Sequence, residues 1–147
     1  MIKEFFLDKF EYDFQCNRVW SNLCEANEDQ LSYFIHWSMS HLFNAHHRWI
    51  SRLENVEPES ELNDKLPLHH WVKLAQDNFQ RTVEFLENKE LNEKILYHDS
   101  EGVPIEKEVI DILYHILNHS NYHRAQVSKE LRSLDITPPS VNFIAYH

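Results

Sequence analysis

One glycine in 147 residues leaves this chain few places where the backbone can enter the left-handed region that tight turns use, and five prolines add only a few breaks. Such a chain is committed to long, uninterrupted elements. The spacing of its apolar residues says which kind. From Ile2 to about Glu25, Phe6, Phe10, Val19, Trp20, Leu23 and Cys24 recur at helical spacing, with Asp8, Lys9, Asp13 and Arg18 on the polar side. After a polar break at Ala26, Asn27, Glu28 and Asp29, a second stripe runs through Leu31, Phe34, Ile35, Ser38, Leu42, Ala45, Trp49, Ile50 and Leu53. The acidic segment Asn55 to Leu66 contains Pro58 and reads as a loop. Pro67 then suits the first turn of a third helix, whose stripe is Leu68, Trp71, Val72, Ala75, Phe79, Val83 and Leu86, ending near Asn88.

Between Leu91 and Val103 the period changes. Ile95, Leu96 and Tyr97 are β-prone and Asp99, Ser100, Glu101 and Gly102 make a turn, so a small hairpin or extended loop is expected there. Pro104, Glu106 and Glu108 then favour the start of a fourth helix, which runs to about Leu134 and is stopped by Thr137, Pro138 and Pro139. Val141, Phe143 and Ile144 give the tail enough apolar character to pack back. Four helices with one apolar face each can bury those faces only against one another. The expectation is an all-α four-helix bundle, with residues 1–147 forming one domain.

A formal net charge of −10 argues against nucleic acid or an anionic membrane surface as partner, because both reward Lys and Arg. The N-terminus lacks the apolar core of a secretory signal, and no run approaches the ~18 apolar residues of a membrane span. Cys16 and Cys24, eight apart in one helix and so separated by a rise of roughly 12 Å, read as core thiols in a reducing compartment. A cytoplasmic location is the expectation.

Eleven histidines are the chemical signal. His115, His119 and His123 stand one helical turn apart, and random placement would give ~0.06 such triplets against ~0.8 pairs. On a helical wheel His119 and His123 lie at the edge of the apolar arc of Val109, Ile112, Ile116, Val127, Leu131 and Leu134. His115 falls toward the polar side, where it can support its neighbours by hydrogen bonding. The bland reading of the pair is two partly buried, hydrogen-bonded imidazoles. A catalytic site needs a third ligand and an open position, and the second helix offers His41 or His46. The wheel does not choose between them. It puts His36 and His47 on the solvent side of that helix, and His69 and His70 in an exposed first turn of the third.

Competing metal bundles fail on spacing: no histidine has Glu three residues before it, as a di-iron carboxylate bundle requires. His-x-x-x-Glu and His-Glu-x-x-His are absent too. A mononuclear site of neutral histidines remains, and its ion would keep a full positive charge with which to polarise water or a thiol.

The run His115-Ile-Leu-Asn-His119-Ser-Asn-Tyr-His123-Arg124-Ala125-Gln126 resembles the signature of the DinB/YfiT-like family of bacterial metal-binding four-helix bundles, histidines before Arg-Gly-Gln. His41-Leu-Phe-Asn-Ala-His-His-Arg-Trp49-Ile resembles its second-helix motif. Weaker likenesses lie at Asn17 to Trp20, at the Tyr97 to Gly102 turn and in the terminal Pro-Pro-x-x-x-Phe-Ile-x-Tyr. Ala125 stands where the family commonly has Gly. The resemblance implies an unusual, often dimeric bundle holding one divalent ion on three histidines, here His41, His119 and His123. It thereby selects His41, which periodicity left open. Zinc or nickel is the expected metal, with iron or manganese as alternatives.

Asn44, Asn118, Gln126, His115 and Tyr122 are candidates to orient the ligands, and His46, His115 and Tyr122 to serve as a base. The function implied is a metal-dependent enzyme that activates a thiol or water on a small molecule, as a thiol S-transferase or hydrolase. Its partners would be a small substrate, such as a low-molecular-weight thiol, and a second copy of the chain. The alternative is a non-catalytic, metal-stabilised binding or stress-response protein.

Overall fold

The computed structural model describes all residues except 141 and 147, and its long helices follow the apolar stripes. Helix α1 spans Ile2–Ala26, α2 Tyr33–Glu54, α3 Trp71–Asn88 and α4 Val109–Ser133, with short 3-10 turns at Glu28–Gln30 and Leu68–His70. The hairpin expected before the last long helix is present: β1 (Lys94–His98) pairs antiparallel with β2 (Pro104–Glu108), Leu96 opposite Glu106. A one-turn helix, α5, covers Phe143–Tyr146. The chain is an all-α bundle with that single hairpin.

Local chemistry sets the helix ends. Ser32 Oγ accepts from Ile35 N at 3.3 Å and caps α2. Both α2 and α4 end in a left-handed residue, Asn55 (φ 58) and Asp135 (φ 59). In each the following amide reaches back five residues, Val56 N to Ser51 O and Ile136 N to Leu131 O, both at 2.9 Å. That closure satisfies carbonyls that would otherwise be orphaned. It also corrects one expectation, since α4 is stopped by Asp135, before Pro138 is reached. A second correction concerns its start: Pro104–Glu108 is strand, and α4 begins only at Val109. Paired with Lys94 through His98, those residues satisfy their backbone in the ladder before the helix begins.

The closest packing is α2 on α4, α1 on α3, α2 on α3 and α1 on α4. Around the bundle the order is therefore α1, α3, α2, α4, with α1 and α2 on opposite corners. The core divides in two. One cluster gathers Trp20, Cys24, Ile35, Met39, Phe43, Trp71, Val127 and Leu131, and the other Phe6, Phe10, Ile50, Leu86, Val109, Leu113 and Ile116. Between them lies a belt of buried polar groups that includes Asp13, Asn17, His46, Asn78, Thr82 and Arg124.

That belt accounts for several departures from the wheel. Asp13 is on the buried face of α1, because Arg124 Nη1 meets its carboxylate at 2.6 Å, and Val19 is correspondingly turned outward. In α3, Asn78 and Thr82 occupy the buried face while Val72, Phe79 and Val83 are half-buried. Phe34 and Ile144 are exposed, so the tail packs back through Phe143 and Tyr146 on Tyr12. Val141 lies outside the described residues. Cys16 and Cys24 are free and buried, and burial pushes the Cys24 thiol up to about 12.

Candidate metal centre

Facing turns of α2 and α4 bring His41, His119 and His123 together. Helical spacing puts His119 and His123 on one side of α4, and the α2–α4 packing sets His41 opposite them. His41 Nε2 and His123 Nε2 each lie 3.2 Å from His119 Nε2. One ligand atom from each of the three falls within 4.8 Å of the others. Imidazoles holding one ion at 2.0–2.1 Å would keep their nitrogens about 3.0–3.4 Å apart, so the set fits a divalent cation.

Hydrogen bonding alone fits it poorly. A neutral imidazole nitrogen is either one donor or one acceptor, so His119 Nε2 cannot satisfy both neighbours. Converging lone pairs are what a cation requires. The electrostatics agree: burial first, then the neighbouring histidines, push His119 down to about 3, and burial together with His41 pushes His123 down to about 4. Both rings are therefore neutral at pH 7, the form that ligates a metal.

The surrounding residues divide the sequence-based candidates. His41 stacks on Trp37 with ring centroids 4.8 Å apart, and its Nδ1 lies 3.3 Å from Asn63 Oδ1. A carbonyl oxygen there selects Nδ1–H and leaves Nε2 free to ligate. Asn63 has no signal in the sequence, being one polar residue in a polar loop. Asn44 reaches no imidazole; its amide donates to Asp64 O at 2.8 Å and accepts from Ser60 Oγ at 2.7 Å, holding the loop that carries Asn63. Gln126 donates to Tyr122 Oη at 2.8 Å, and the Tyr122 ring meets His123 edge-on. His115 lies beside His119, their centroids 5.6 Å apart. With Asn118, Asn121, Tyr122 and Ala125 these two histidines line an open groove of about 450 Å³.

The other histidines are drawn elsewhere. His46 is buried against Phe10 and hydrogen-bonded to Thr82 Oγ1 at 2.8 Å, outside the cluster. His36 and His47 do not face solvent as the wheel suggests. His36 packs edge-on against Trp71, and His47 accepts from Glu59 N at 2.9 Å. His47 also lines a larger cavity of about 640 Å³ between α2 and α3. The cationic group of that cavity, Arg81, is spent on Glu54 and Ser51. His69 and His70 are exposed, as expected.

The model of one family, described as the DinB family, matches residues 9–147. The chain belongs to the DinB family. The match takes in both helices that carry the three histidines, so the cluster lies inside the DinB region. A comparison with curated proteins finds no match. Among the described residues no helix of this DinB chain is long and apolar enough to cross a membrane.

Proposed function

We propose that this DinB chain is a divalent-metal-dependent enzyme acting on a small molecule, as a thiol S-transferase or hydrolase, with His41, His119 and His123 as the metal ligands. The observation that carries the reading is the convergence of three Nε2 atoms, with burial keeping the His119 and His123 rings neutral. Zinc or nickel suits three imidazoles best, with iron or manganese as alternatives. When bound, the ion supplies a Lewis acid that lowers the pKa of a water or thiol brought to it. The protein's own part is to present the nitrogens in one tautomer, through Asn63 at His41, and to leave the open groove beside His119 for the substrate. A small thiol as substrate, a second copy as partner and a cytoplasmic location belong to the same proposal.

One observation favours the alternative, a non-catalytic protein stabilised by its ion: the cluster ties α2 to α4 and, through Asn63, to the 55–66 loop. Metal analysis of the purified protein, followed by turnover with small thiols and ester or amide substrates, separates the two. Wild type should retain one ion per chain and turn over; His119→Ala should lose both. A His119→Ala protein that melts like wild type and keeps its turnover would refute the enzyme reading, and a wild type that takes up no divalent ion would refute both.

A further inference from the structure

Burial sorts the cations of this acidic protein in an informative way. Among the described residues, Lys3, Lys9, Arg48, Arg52, Arg81 and Arg124 are the Lys and Arg side chains shielded from solvent at least in part. Five of them pair with a carboxylate, of Glu90, Asp8, Glu61, Glu54 and Asp13 respectively, and Arg52 does not. Its guanidinium lies between two rings, 4.5 Å from the centroid of Trp49 and 4.6 Å from that of Tyr97. Burial and then the neighbouring Arg48 cation disfavour its charge, Tyr97 acts in the opposite sense, and no carboxylate acts on it.

A guanidinium held by its faces keeps its N–H donors around the rim, and the rim of Arg52 has no protein acceptor among the described residues. Planar forks of that kind match a carboxylate or phosphate two bonds at a time. In a chain of net charge −10, an unpaired and partly desolvated arginine is costly unless a ligand supplies the anion.

Its place is as telling as its lack of a partner. Arg52 follows His41 by three turns of α2, which returns it to the same face about 16 Å along the axis. The space between is bridged by rings: Trp49 meets His115 edge-on at 5.3 Å, and His115 lies 5.6 Å from His119. A half-exposed aromatic lane thus runs from the histidine cluster to the arginine.

We propose that Arg52, clamped by Trp49 and Tyr97, is the subsite for an anionic group on the substrate: the ligand reacts at the histidine cluster, lies along the His115–Trp49 lane, and ends in a carboxylate or phosphate at Arg52. The inference rests on the metal-site reading. It adds the substrate class, an elongated molecule with an apolar or flat middle and a terminal anion, and a residue that selects it.

The test uses the full chain loaded with cobalt(II), whose thiolate absorption reports thiol binding without turnover. Mercaptoundecanoate is compared with mercaptoundecanol, of the same length without the charge, and with mercaptopropionate, which is too short to span the lane. Wild type should bind the long carboxylate about tenfold or more tightly than the alcohol. Arg52→Gln should bring the two together, Arg52→Lys should restore part of the preference, and mercaptopropionate should bind wild type and Arg52→Gln equally. If thiolate absorption develops but the long carboxylate shows no advantage, or keeps it in Arg52→Gln, the subsite is disproved and the metal site stands. If no cobalt is retained, the metal-site reading fails and the subsite falls with it; if cobalt is retained but no thiolate absorption appears with any probe, the metal site stands while the thiol substrate and the subsite built on it are disproved.

Discussion

His46 shows how a single residue is committed by its surroundings. Thr82 gives its hydroxyl hydrogen to Asn78 O, so at His46 it accepts, and the imidazole must carry its proton on Nε2. Burial pushes this histidine down to about 4, whereas the unfolded chain titrates it near 6.5. Between those values the unfolded state holds the extra proton, so stability is full above pH 6.5 and is lost as pH falls toward 4, by about 3 kcal/mol for this group. Urea midpoints measured across that range should fall more steeply for wild type than for His46→Gln, which keeps a donor but cannot titrate. Parallel curves would remove His46 from the account.

At the same scale the sequence was informative about the clustered histidines and silent about their supports. The i, i+4 spacing of His119 and His123 is a property of one helix and could be read directly. Choosing His41 over His46 needed a resemblance, because both sit near the apolar stripe and only the neighbouring helices distinguish them. Asn63 could not be found at all: its role exists only because Asn44 and Ser60 hold its loop over α2.

Between elements, the decisive unit is the ion pair that joins α1 to α4. Arg124 and Asp13 are 3% and 2% exposed, and Asn17 Oδ1 accepts a further bond from Arg124 at 2.8 Å. Removing one partner strands the other charge in a dry belt, so Arg124→Met should cost roughly 3–5 kcal/mol in denaturant unfolding. Asp13→Leu combined with Arg124→Met should recover most of that loss. If the double variant is no more stable than the single, the cost lies in packing rather than in the stranded carboxylate. Amphipathic patterning cannot reveal such a pair, since Asp13 looks like any polar-face residue until its partner arrives from 111 positions away.

The hairpin offers a gentler test. Gly102 sits at φ 78 with nothing within 4 Å of where a Cβ would be, so Gly102→Ala should cost only the backbone penalty, roughly 1 kcal/mol. Hydrogen exchange should show the loss confined to β1 and β2. Here the local rules were sufficient for the turn and misleading for the strand after it. Glu106 and Glu108 look like a helix start, yet pairing with Lys94–His98 claims them for the sheet.

For the molecule as a whole, the proposed metal site would couple an ion to folding. An ion that binds only the folded chain should raise stability by about 2.7 kcal/mol at a hundredfold excess over its Kd, and a chelator should reverse the shift. His119→Ala should melt at the same temperature with or without either. A wild-type melting temperature indifferent to ion concentration would mean that α2 and α4 need no such clasp.

The order of helices around the bundle carries a consequence for biosynthesis. His41 and His119 are 78 residues apart in the chain, and α3 and the hairpin are made between them. A ribosome that has released α1, α2 and α3 has therefore exposed one histidine of the three, on a helix whose α4-facing side has nothing to pack on. On the proposed metal-site reading, ion capture must wait until α4 has emerged, so loading follows the synthesis of all four long helices.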